Sequence, residues 1–228
     1  DSAREMFDLA TVFANQPLMK GNRVAIVTNA GGPGIMATDA CVKAGLQMAE
    51  MSPATVAKLK EKLPPTSNFS NPIDVIGDAQ HDRYAHALRS VIAEPSVDGV
   101  MVLLTPQAMT EAEATAKIIV DVDKESEKTI VTCFMGHSDV EAGVKVLKEN
   151  MIPHCSFPED SARTLGAMNR YQQWLSRPRT GVKDYKVNRQ TADAVIEQAM
   201  KDQQKFLPIN QSMDIFSAYE FPVIPWAF

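Results

Sequence analysis

The chain has 228 residues, 45% of them hydrophobic and 22% charged, with 23 Lys and Arg against 28 Asp and Glu for a net charge of -5. That composition suits a packed soluble core, and without a basic stripe interleaved with aromatics it excludes the usual nucleic-acid or anionic-membrane binder. No apolar run approaches the roughly 20 residues of a membrane helix or the core of a signal peptide.

Cys41, Cys133 and Cys155 are odd in number, far apart and each inside an apolar stretch. They read as free buried thiols in a reducing, cytoplasmic compartment, with neither a disulfide framework nor a zinc spacing.

In chain order, Ala3, Met6, Phe7, Ala10 and Phe13 mark an amphipathic lead helix over residues 2–15. Val24, Ala25, Ile26 and Val27 form a β-branched run that ends in Thr28 and Asn29. The chain then passes through Gly31, Gly32, Pro33 and Gly34 into a helix carrying Ala37, Ala40, Cys41 and Ala44. Strand, glycine turn and helix follow in that order, with Gly45 as the C-cap. A second short strand is expected over residues 46–49 and a helix on Val56, Leu59 and Leu63, stopped by Pro64 and Pro65.

Residues 66–71 read as an extended loop before the short apolar piece 72–76, with a turn at Gly77 and Asp78. Tyr84, Leu88, Val91 and Ile92 mark a third helix, Ile118, Ile119 and Val122 a fourth, and Val140, Val144 and Leu147 a fifth. Between them, residues 99–104 and 130–135 are unbroken apolar strands, as expected where helices cover both faces. A last short strand near 154–157 precedes a helix through Ala162, Leu165 and Met168. This alternation predicts an α/β fold with a doubly wound parallel sheet of about five strands, flavodoxin-like.

Residues 176–181 have linker composition. A separate helix on Ala192, Val195, Ile196 and Ala199 and a short one around 213–219 give a helical C-terminal extension. The expected division is a first domain at 1–178, a linker with a helix at 179–210, and the start of another domain at 211–228. A chain that opens on Asp1 and stops on Pro225, Trp226, Ala227 and Phe228 is expected to be a fragment.

In open parallel sheets ligands sit outside the carboxyl ends of the strands. Asn29, Gly31, Gly32 and Gly34 are the candidate phosphate-binding residues there, because glycines permit positive φ and close approach while a helix N-terminus favours an anion. Asp74, Thr105 and Gln107 are candidates for the rim of the same site, although Asp after a strand is also a common turn former. A Walker A reading fails, since Ile35 and Met36 stand where Lys and Ser or Thr are needed. A dinucleotide reading uses Gly32, Gly34 and Ala37 with Glu50 as the ribose acid, and a purely structural turn is a third option. Among the histidines, His137 lacks a partner carboxylate and precedes Ser138 and Asp139, which can cap the next helix. His81 and His86 read as solvated, and His154 as satisfying a local backbone group.

The segments NRVAIVTNAGGPGIMATDA, NPIDVIGDA, VMVLLTPQ, a strand ending FMG, and FPED before the last helix, in this order from about residue 21 to 174, carry a resemblance. They resemble the succinyl-CoA-ligase-like domain of NDP-forming acyl-CoA synthetases, which include the ADP-forming acetyl-CoA synthetases. The resemblance implies a reversible reaction in which acyl-CoA and phosphate give an acyl phosphate. A histidine then takes the phosphoryl group, and a grasp-type domain passes it to ADP. It also implies that the glycine segment and its helix face the phosphohistidine, with Asp74 beside it. The phosphorylated histidine of that family stands in a segment such as SSHTGS, which is absent here, and His137 occupies a place where relatives carry Gly.

On that resemblance no catalytic residue and no metal ligand lies in this chain, and the fragment alone binds no cofactor and is inactive. The parent uses CoA, ADP or ATP, and Mg, and its partners are the CoA-binding phosphohistidine domain and the ATP-grasp domain. Residues 213–225 resemble the start of the latter. Two alternatives stay open: an acyl-CoA-sensing portion of a protein lysine acetyltransferase, and a module that only joins domains.

Overall fold

The computed structural model describes residues 2–178, 181 and 185–224. Residues 179, 180 and 182–184 of the expected linker region, and 225–228 of the expected domain start, lie outside them. The chain divides into two compact units, Asp1–Arg177 and Pro178–Phe228.

In the first unit the elements run α1 (Ala3–Asn15), β1 (Arg23–Thr28), α2 (Gly31–Lys43), β2 (Gln47–Met48), α3 (Pro53–Lys60), β3 (Ile73–Asp74) and α4 (His81–Ile92). They continue with β4 (Gly99–Leu104), α5 (Ala112–Lys124), β5 (Thr129–Phe134), α6 (Glu141–Glu149) and α7 (Pro158–Leu175). Every strand pairing is parallel, in the order β2-β1-β4-β5 with β3 also on β1. Val24 pairs with both Met48 and Gly99, and Val27 with both Ile73 and Val102. The short strands β2 and β3 therefore share one edge of β1, and β4 takes the other. This is the doubly wound flavodoxin-like arrangement, with the first strand inside the sheet.

Alternate strand residues feed two cores, as a period of two demands. Ala25, Val27, Val100, Val102 and Leu104 pack with Leu59, Tyr84, Leu88, Ile119 and Leu147 of α3 to α6. On the other face Val24, Ile26, Met101, Leu103 and Cys133 pack with Val12, Ala37, Cys41 and Leu165 of α1, α2 and α7. Cys41, Cys133 and Cys155 are free and buried, and burial pushes Cys41 up to about 12 and Cys155 to about 11.

Between β2 and β3 the edge of β1 has no strand beside it, and Asn71 fills the gap. Its Oδ1 accepts from Ile26 N–H at 2.9 Å, and its Nδ2 donates to Val24 O at 2.8 Å and to Ala49 O at 3.0 Å. α2 ends in a Schellman motif: Leu46 N–H reaches Cys41 O, Gly45 N–H reaches Val42 O, and Gly45 takes φ 83°.

Several expectations are corrected. The strand expected near 154–157 is a single bridge, Thr132 with His154, because Ser156 and Phe157 already turn into α7. α3 stops at Lys60, well before the prolines. Ser138 and Asp139 do not cap α6: they lie in a short 3-10 turn, and the N-cap is Val140 with no side-chain hydrogen bond. In the second unit α8 (Arg189–Lys201) and α9 (Ile209–Ala218) pack together, joined by Asn188 N–H to Ala218 O at 2.9 Å.

Candidate functional site at the start of α2

β1 delivers the chain to the carboxyl rim of the sheet, and α2 begins three residues later. Ala30 is its N-cap in extended backbone, and no side chain caps the helix. Gly31 and Gly32 are exposed, Pro33 has no N–H, and the first helical bond is Gly34 N–H to Ala30 O at 3.2 Å. The N–H groups of Gly31 and Gly32 thus have no intrahelical acceptor and point with the positive end of the helix dipole.

The glycines are therefore the first helical turn, not a loop ahead of it. None of the three has a positive φ; among described glycines only Gly45 and Gly136 do. The left-handed backbone that glycine permits is not used at these positions, and other reasons separate the three. A Cβ at Gly34 would lie 3.1 Å from Thr28 Cγ2 and 3.6 Å from Pro72 Cβ, so this glycine lets α2 lie against β1 and the β3 loop. A Cβ at Gly31 would meet only Asp74 Oδ2, at 3.6 Å, and at Gly32 it would meet nothing within 4 Å. Glycine weakens a helix relative to alanine by roughly 0.5–1 kcal/mol, and no packing requires it at Gly32.

Asn29 is placed differently from the expectation. It is 2% exposed, its Oδ1 accepts from Thr105 N–H at 2.9 Å and Thr105 Oγ1 at 3.0 Å, and its Nδ2 donates to Thr105 O at 2.8 Å. Asn29 and Thr105 are a clamp that ties the ends of β1 and β4, and the buried Asn29 carboxamide is engaged in it, while Thr105 is half-exposed. Tyr84, fully buried, adds a second tie through its hydroxyl to Leu103 O at 2.8 Å.

Asp74 lies beside the start of α2. Its Oδ1 accepts from Ile76 N–H at 2.9 Å, as a turn former does, while Oδ2 faces Gly31. Ile76 holds φ 71°, a left-handed conformation that costs a β-branched residue about 1–3 kcal/mol. A Cβ at Gly77 would lie 3.7 Å from Gln107 Cγ and 3.8 Å from Asn29 O. One continuous rim thus joins Gly31, Asp74, Gly77, Gln107 and the Asn29–Thr105 clamp.

The histidines were less legible. His81 is not simply solvated: its Nδ1 lies 2.5 Å from Glu111 Oε2, which joins the first residue of α4 to the N-cap of α5 and holds Glu111 below its usual range. His86 Nε2 meets Lys58 O at 2.6 Å. His154 behaves as expected, accepting Phe134 N–H at 3.3 Å. His137, exposed, lines an open groove of about 550 Å³ with Phe7, Val144, Lys148 and His154, and no residue of α2 reaches that groove.

A parallel sheet in this strand order with helices on both faces, and a glycine-rich helix start at its carboxyl rim, defines an α/β domain of the doubly wound class. The family model of the Ligase-CoA domain matches residues 24–177, and the chain belongs to that family.

Its relatives include the 4-hydroxybutyrate–CoA ligase (ADP-forming) of Nitrosopumilus maritimus, 32% identical over 223 residues, covering 98% of this chain and 32% of that protein. Another is acetate–CoA ligase (ADP-forming) I of Archaeoglobus fulgidus, 32% identical over 226 residues, with 99% and 32% covered. The chain spans about a third of the length of these two curated relatives.

Among solved structures it resembles the dinucleotide-forming acetyl-coenzyme A synthetase 1 of Ca. Korarchaeum cryptofilum in complex with phosphate and ADP. The TM-score is 0.71 at 27% identity, covering 78% of this chain and 40% of that one. A Pyrococcus horikoshii OT3 protein gives 0.73 at 31% identity, with 78% and 41% covered.

These names are all of acid–CoA ligases or synthetases where they state an activity, which does not favour the acetyltransferase or joining-module readings. The dinucleotide reading has a local difficulty as well. Its glycines lie inside α2 from the first residue, leaving no loop to wrap a pyrophosphate, and Glu50 is exposed beyond β2.

Proposed function

We propose that this chain is one portion of an ADP-forming acid–CoA ligase, and that Gly31 and Gly32 at the start of α2 receive the phosphoryl group of a phosphohistidine carried outside this chain. The parent would convert acyl-CoA, phosphate and ADP into acid, CoA and ATP. CoA and the nucleotide would be held by its other domains. Among the described residues no group of three or more His, Cys, Asp and Glu comes together for a metal ion.

The observation that carries the reading is Gly32, exposed, without positive φ and without a neighbour that excludes a side chain. An open helix start with that residue lets phosphoryl oxygens approach the N–H groups directly, and preorganised donors of this kind stabilise charge without reorganising. Asp74 Oδ2, beside Gly31, would accept the remaining ring N–H of the arriving histidine. The clamp of Asn29 and Thr105 would hold the rim, and Gln107 would border it.

Gly32→Val in the full-length parent tests this. Exposed helix substitutions of this kind change stability by less than about 1 kcal/mol, so the thermal melt should be nearly unchanged and CoA binding normal. Radiolabelled phosphate retained on the protein from ATP should form about a hundredfold more slowly, the lower end of what losing one oriented donor costs. Unfolding of the variant would make the turn structural, and labelling at the normal rate and level would remove the phosphate site.

A further inference from the structure

At the amino ends of β1, β4 and β5, opposite the α2 rim, lies a cavity of about 530 Å³ whose charged lining is Lys20, Arg23 and Lys128 with Asp98, Glu125 and Glu127. Lys128 sits in its wall and donates from Nζ to Glu94 O at 2.6 Å. It is half-buried, whereas every other described lysine is exposed. Burial pushes its ammonium down, Asp98 and Glu94 oppose that, and Arg23 and Lys20 add to it.

The neighbouring cations are differently held. Arg23 is fixed on Asp98 through Nε at 2.9 Å and Nη2 at 2.9 Å. Lys20 meets Glu127 at 3.3 Å with both side chains in solvent, a weak and exchangeable pair. A small dianion entering the cavity would find Lys20 available.

We propose that Lys128 is a site of N-acylation by small acyl phosphates that enter this cavity. The Nζ lone pair attacks the acyl carbon, the C–N bond forms and the C–O bond to phosphate breaks. Inorganic phosphate leaves with the bonding electrons, and the amine proton passes to it. The product amide is neutral, so Glu94 and Asp98 lose a facing cation. A half-buried amine in a cavity wall is suited to this, since a lysine out of water shifts readily toward its nucleophilic neutral form. That the parent meets acyl phosphates in its own reaction rests on the function proposed above, but the chemistry at Lys128 can be read without it.

The test incubates the 228-residue chain with acetyl phosphate near neutral pH and follows acetylation of each lysine by peptide mass spectrometry. Lys128 should react about fivefold to tenfold faster than the median exposed lysine, and that preference should vanish in strong urea, where no half-buried amine remains. A Lys128 rate at or below the exposed lysines overturns the proposal, as does a preference that survives in urea, which would make it a property of local sequence. Because the acyl phosphate is supplied, fast Lys128 acylation beside normal phosphoenzyme in Gly32→Val would overturn the phosphate site alone.

Discussion

The two ends of the sheet are finished in opposite ways. At the carboxyl end α2 starts without a side-chain cap, and Gly31 and Gly32 face solvent. At the amino end the polar groups are paired. Arg23 grips Asp98 with three donors including its backbone N–H, Lys128 caps Glu94 O, and Gln16 bridges Ile130 N–H and Asp123. A fold needs its strand ends satisfied, and at the carboxyl end the Asn29–Thr105 clamp and the Tyr84 hydroxyl do so for β1 and β4. The open donors are thus a feature of the start of α2 and not of the strand termini.

Breaking the closed end should have the largest effect on the fold. Arg23→Ala leaves the Asp98 carboxylate, 8% exposed at its side chain, without its guanidinium. Removing the partner of a buried carboxylate is destabilising, and the cost is reduced by solvent screening because Arg23 is 44% exposed. The urea midpoint of the chain should fall accordingly. A midpoint within error of wild type would mean that the amino end is not closed by this pair.

A smaller effect is expected from acid. Burial pushes Glu94 up, but hydrogen bonds from the Ser52 and Thr55 side chains and from Ser52 and Ser96 N–H outweigh it and bring it to about 2. Asp98 is also held down, chiefly by its hydrogen bond from Arg23. Both are lower in the folded state than unfolded. Their contribution is therefore present above about pH 4.5, the ordinary glutamate range, and is lost as pH falls toward about 2. Melting temperature should decline across that window, and Glu94→Gln should flatten the decline. An equal slope in the variant would remove Glu94 from the closure.

Much of this contrast was legible in the residues because it follows from periodicity. Val24 to Val27, Gly99 to Leu104 and Ala37 with Cys41 announce strands and a helix whatever their partners are, and the resemblance carried by NAGGPG and NPID placed the rim. What was not legible depends on partners far apart in sequence. Asn29 looked like a ligand residue, yet its carboxamide is spent on Thr105, 76 positions away. Asn71 gave no local signal of completing the edge of β1, and His81 none of meeting Glu111 across 30 positions. The positive φ that Gly31, Gly32 and Gly34 permit is not used, because the helix already begins at Gly31, which composition does not reveal.

The central claim, that the open donors at the start of α2 take a phosphoryl group, is tested most directly by observing those donors. The ¹⁵N-labelled chain would be titrated with N-phosphorylimidazole while every backbone amide is followed by NMR. Saturable downfield shifts should be largest at Gly31 and Gly32, with the amides of Lys20, Arg23 and Lys128 at the closed end unmoved. Unchanged Gly31 and Gly32, or shifts concentrated at the amino end, would contradict it.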